Sequence, residues 1–106
     1  SMAAFAESLR FGESLGLSKD FLLDALPGLP VAAPFTKLKA QLIKDENYEA
    51  QFPLELLQKD LHLAAISAYE CGQPLPYTNA AKELYAQAIK AGLGREDMSA
   101  IYKLLD

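Results

Sequence analysis

One cysteine and one histidine in 106 residues leave no intrachain disulfide and no ligand cluster for zinc. Cys71 is expected to pack as a small apolar residue near a helix end, and His62 to lie on the polar side of its helix. A single thiol is compatible with a reducing compartment. No apolar run approaches the ~20 residues needed to cross a bilayer, and no secretory segment follows the N-terminus, so the expectation is a soluble, cytoplasmic protein. Ten basic residues against fourteen acidic give a net charge of −4, and Lys and Arg never gather densely. That balance argues against nucleic acid or an anionic membrane as the main partner. Catalytic signatures are missing as well: no GxSxG elbow, no HExxH, no Cys paired with a base, and no GxGxxG or GxxxxGK phosphate loop. Gly92-Leu93-Gly94 reads as a helix stop, and Asp45-Glu46 and Glu96-Asp97 as solvated loop charge.

What is present is apolar and helical. The chain is 51% hydrophobic and 9% aromatic, enough for one domain to bury a core without staples. The two-residue alternation of strands is absent over any useful length, so the fold class is all-α. A first helix over about 3–15 carries Phe5, Leu9, Gly12 and Leu15 on one side and stops at Gly16. No capping residue precedes it. Ser1-Met2 reads as a tag remnant, and the domain proper, 3–106, as a piece cut from a longer protein inside a helix. Ser18 caps a short second helix that Pro27-Gly28 ends, and 27–34 is a turn-rich but apolar connection. A third helix over 35–43 sets Phe35, Leu38 and Leu42 against Lys37, Lys39 and Lys44. A polar loop follows over 44–51. Pro53 then opens a long central helix that ends near Gly72. A fifth helix runs over about 78–91 with Tyr77, Ala81, Leu84, Ala88 and Ala91 as its seam, and Asp97 caps a last helix bearing Met98, Ile101 and Leu104.

The central helix holds the one chemically suspicious residue. Leu54, Leu57, Leu61, Ala64 and Ala68 form one apolar stripe, and Leu56, Leu63 and Ile66 a second on nearly the opposite side, which predicts a helix enclosed by its neighbours. Lys59 falls inside the second stripe, with Glu55 and Glu70 at its margin. Burying an ammonium costs several kcal/mol unless it is neutralised. Either Lys59 pairs with Glu55 one turn away while its stem covers apolar surface, or it awaits a ligand.

Phe52, Lys59-Asp60-Leu61, Leu63-Ala64, Gly72, Leu75-Pro76, Leu84-Tyr85, Ala88, Gly92-Leu93-Gly94, Asp97 and Ser99-Ala100 together resemble the C-terminal helical domain of the β-hydroxyacid dehydrogenases, which include 3-hydroxyisobutyrate dehydrogenase and tartronate semialdehyde reductase. The likeness covers about 3–105. It implies the helical fold of 6-phosphogluconate dehydrogenase C-terminal domains and a parent enzyme that uses NAD or NADP to interconvert a small hydroxy acid and its semialdehyde. It further implies an N-terminal Rossmann domain holding most of the cofactor, a catalytic lysine upstream of this chain, and a homo-oligomer. Lys59 matches the family lysine that reaches the cofactor. Asp60 is then an orienting partner of Lys59 or a cap for a neighbouring element, and Phe52 a wall of the cleft or a core aromatic. The alternative is an all-α dimerisation or interaction module that kept the fold and lost the enzyme.

Overall fold

Ser18 accepts the Phe21 amide on its hydroxyl oxygen at 3.1 Å, so α2 (Lys19–Ala25) begins where the sequence places it. Ahead of it, α1 (Met2–Ser14) gives way to Gly16 at φ 92°, a left-handed turn that glycine adopts without steric cost. In this computed structural model, which describes residues 1–106, the remaining helices are α3 (Thr36–Lys44), α4 (Leu54–Cys71), α5 (Pro76–Lys90) and α6 (Ile101–Leu104). Short 3₁₀ turns occupy Leu26–Gly28 and Met98–Ala100. There is no strand, only a single backbone bridge between Pro53 and Asp97. The all-α expectation holds.

The chain divides into two compact units, one made of Ser1–Glu49 with Ser99–Asp106 and the other of Ala50–Met98. In the first, α1 packs against α2 and α6, and α2 against α3. Met2, Phe5, Ala6, Leu9 and Gly12 form the buried stripe of α1, while Leu15, expected on that side, is exposed. Gly12 is there for contact: a Cβ on it would sit 2.7 Å from a methyl of Leu22. Arg10 ties α1 to α6, donating from Nε to the Tyr102 carbonyl at 3.0 Å and stacking 3.6 Å from the Tyr102 ring centroid. Glu13 completes the knot by meeting Arg10 Nη1 at 3.0 Å and accepting the Tyr102 hydroxyl.

α3 corrects the sequence reading. Its buried positions are Thr36, Lys39, Ala40, Leu42 and Ile43, and Leu38 is exposed. The stripe 36, 39, 40, 43 follows helical spacing, and Ala40 and Ile43 orient the helix so that Lys39 is carried inward with them. A lysine can accept that place because its stem is apolar, and Lys39 is not without a partner there.

The second unit is the pair α4 and α5 packed on each other. Gly72 ends α4 at φ 77°, with its amide bonded to Tyr69 O at 3.3 Å and that of Gln73 to Ala68 O at 2.9 Å, the two bonds of a Schellman stop. α5 starts two residues earlier than the periodicity suggests, because Pro76 at its first position loses no bond there. Cys71 is exposed rather than packed, its thiol against Ala68 O at 3.6 Å. Only four apolar side chains of this unit are buried: Leu54, Ala68, Tyr85 and Ala88. The expectation of a fully enclosed α4 therefore fails. Leu56, Leu63 and Ile66 remain 42%, 51% and 43% exposed, because α5 covers one side of α4 and the second stripe is left open.

Candidate functional site

The entry of α4 is built by backbone from a distant segment. Pro53 has no amide and no side chain to cap a helix, so the first free N–H groups of α4 need acceptors from elsewhere. Residues 94–98 supply them: Leu54 N–H donates to Glu96 O at 2.8 Å and Glu55 N–H to Gly94 O at 2.9 Å. Gly94 allows the approach, since a Cβ on it would meet the Glu55 carboxylate at 3.2 Å. Phe52 is held on both backbone groups. Its carbonyl accepts from Met98 N–H at 2.9 Å, and its amide donates to Asp97 Oδ1 at 3.1 Å, which also takes the Gln51 amide at 3.0 Å.

Asp97 is fully buried and far from the solvated loop charge that its neighbours in sequence suggest. Burial of a carboxylate is tolerated when backbone amides satisfy it. Among its partners are the backbone amides of Gln51 and Phe52. Sequence reasoning missed the part that this residue and Gly94 play at the α4 entry, because their partners lie about 40 or more positions away. The one local signal was a proline at a helix start with no capping side chain beside it.

Lys59 and Asp60 lie on the open side of α4 between Leu56 and Leu63, within three or four positions of each. Both are exposed, and neither makes a hydrogen bond or ion pair. The i to i+4 pair of Lys59 with Glu55 does not form. Nor does Asp60 cap a neighbouring element or bond to Lys59. Phe52 is 37% exposed, which removes the core reading and leaves its ring accessible above an immobilised backbone. The surface offered is thus an unpaired ammonium and an unpaired carboxylate set in an apolar stripe, one to two helical turns from a helix entry clamped by backbone bonds.

Tyr85 is the other polar group that the sequence did not single out. It is buried on α5 and its hydroxyl has no hydrogen-bond partner. Burial pushes its phenol well above the usual range, and the Asp97 carboxylate adds to the shift. Tyr85→Phe is expected to stabilise the protein by about 1 kcal/mol, since it removes an unsatisfied buried donor with little change of shape. A raised folded pKa means that stability is complete below the unfolded value of about 10 and is lost as pH rises through the folded one. The variant should therefore lose less stability above pH ~10 than the wild type, as read from urea midpoints across that range.

The family described as NAD-binding of NADP-dependent 3-hydroxyisobutyrate dehydrogenase matches residues 1–105. Over 104 residues the chain is 36% identical to glyoxylate/succinic semialdehyde reductase 2, chloroplastic, of Arabidopsis thaliana, covering 98% of this chain and 29% of that protein. Over 102 residues it is equally 36% identical to cytokine-like nuclear factor N-PAC of Homo sapiens, covering 96% and 18%. A crystal structure of 3-hydroxyisobutyrate dehydrogenase from Salmonella typhimurium matches with a TM-score of 0.90 at 28% identity, over 97% of this chain and 36% of that one. The chain spans well under half the length of each of these relatives. With the match running through all but its last residue, this chain belongs to the NAD-binding family of NADP-dependent 3-hydroxyisobutyrate dehydrogenase.

Proposed function

We propose that this domain closes the cofactor cleft of an NAD(P)-dependent dehydrogenase that interconverts a short hydroxy acid and its semialdehyde. The observation that carries the reading is Lys59, an ammonium with no ion pair inside an exposed apolar stripe, and the family resemblance implies that this lysine reaches the cofactor. An ammonium there has three donors for ribose hydroxyls or the carboxamide, and Leu56 and Leu63 lower the local exposure to water as a ligand settles. Asp60, beside it and unpaired, accepts a hydroxyl of the ligand, and Phe52 gives the small substrate an apolar wall. The bound nicotinamide supplies the hydride. On this reading a dinucleotide-binding domain and a catalytic lysine belong to the portion of the relatives that this chain does not cover, and the domain alone is silent. The longer protein that contains this domain, supplied with NADH or NADPH and short semialdehydes, is expected to consume the reduced nicotinamide. No consumption with either cofactor overturns the enzymatic reading.

One observation favours a second reading. The chain is as similar to a nuclear factor as to a semialdehyde reductase, at 36% for both. The exposed Leu56, Leu63 and Ile66 would then serve an all-α interaction or dimerisation surface. A lysine at the upstream catalytic position supports the enzyme, and Met or Ala there the scaffold. Sedimentation velocity reports association directly.

A further inference from the structure

The Asp97 carboxylate, distant in sequence, holds the segment that presents Phe52. Oδ1 accepts both the Gln51 and Phe52 amides, at 3.0 and 3.1 Å. Around this contact the backbone bridge closes on either side, through Leu54 N–H to Glu96 O at 2.8 Å and Met98 N–H to Phe52 O at 2.9 Å. The next residues are the first turn of α4, from which Lys59 and Asp60 project within two turns. A fully buried carboxylate that binds two consecutive amides is a rigid anchor, because a hydrogen bond is stronger in a dry setting than in water. The Phe52 carbonyl is held by Met98 N–H, and the Gln51 and Phe52 amides, on exposed residues ahead of a proline, are held by Asp97.

We propose that Asp97 is a positioning residue: it sets the backbone of 51–52 and thereby the placing of Phe52 and of the α4 entry against the substrate. The proposal rests on the dehydrogenase reading above for its functional half, while its structural half stands independently of any activity. It predicts coupling. If Asp97 acts through Phe52, truncating either should impair the same step, and truncating both should add little.

The test uses the longer protein that contains this domain, in four forms: wild type, Asp97→Ala, Phe52→Ala and the double variant, with Asp97→Asn as the conservative form that keeps an acceptor oxygen. Amide exchange at Gln51 and Phe52 should quicken about tenfold or more in Asp97→Ala and far less in Asp97→Asn. The KM for a short semialdehyde should rise about tenfold in Asp97→Ala with kcat less affected, and should not rise further when Asp97→Ala is added to Phe52→Ala. Unchanged exchange at Gln51 and Phe52 overturns the proposal whatever the activity. Additive KM effects overturn its functional half, as they assign Asp97 to general stability. If Asp97→Ala does not fold, Asp97→Asn decides the matter: wild-type exchange and KM support the anchor, and loss of both despite the retained oxygen contradicts it. A wild-type protein inert with both cofactors would sink the dehydrogenase reading, and the exchange measurement would still judge the anchor.

Discussion

Leu54→Ala is expected to cost about 2–5 kcal/mol of stability, the range for truncating a buried leucine to leave a cavity. Leu54 is fully buried, and it is one of only four buried apolar side chains in the Ala50–Met98 unit. A unit with so few has little to redistribute. The same residue begins α4, where its amide is tied to Glu96 O, so the loss loosens the helix entry as well as the packing. Urea denaturation should show a lower midpoint, and amide exchange should quicken first across 50–60. A loss below about 1 kcal/mol would mean that the site collapses around the missing methyls.

Lys59→Ala should separate binding from stability. The side chain is exposed and makes no ion pair, so its removal should change stability by less than about 0.5 kcal/mol. Dinucleotide affinity of the longer protein should fall about 10–100-fold, since a hydrogen bond from a charged group is worth roughly 1.5–3 kcal/mol. Lys59→Arg should recover only part of this, because a planar fork does not reproduce the reach of a compact ammonium. The loss should shrink with added salt insofar as Lys59 meets phosphate rather than hydroxyl or amide.

The helices were legible because their limits are written locally. Ser18 ahead of α2, Gly16 after α1 and Gly72 after α4 each act on neighbours within a few residues, and each does in the structure what its chemistry requires. Rotation about the helix axis was harder to read. In α3 the sequence offered Leu38 as an inward residue and Lys39 as an outward one, and packing reversed both. In α4 apolar character does not imply cover: Leu56, Leu63 and Ile66 are open, and so is Ala64 in the other stripe. An exposed apolar stripe and a buried one are identical in sequence. The difference lies in what a partner covers.

The candidate site divides in the same way. Lys59 was conspicuous because a single charge interrupted an apolar stripe on one helix. The hold of Asp97 on 51–52 was not legible because it depends on two amides over 40 residues upstream, and an Asp beside a Glu in a loop looks like surface charge. Tyr85 escaped for a related reason: periodicity marks it as an ordinary seam neighbour, while its unsatisfied hydroxyl exists only once the helices have met.

The central claim is that the ammonium of Lys59 meets a nicotinamide dinucleotide. Titration of the longer protein with NADPH and with NADH, read by nicotinamide fluorescence, tests it most directly when wild type and Lys59→Ala are compared at matched stability. The account predicts a dissociation constant about 10–100-fold larger for the variant with whichever cofactor the wild type binds. Equal constants for the two proteins would contradict it.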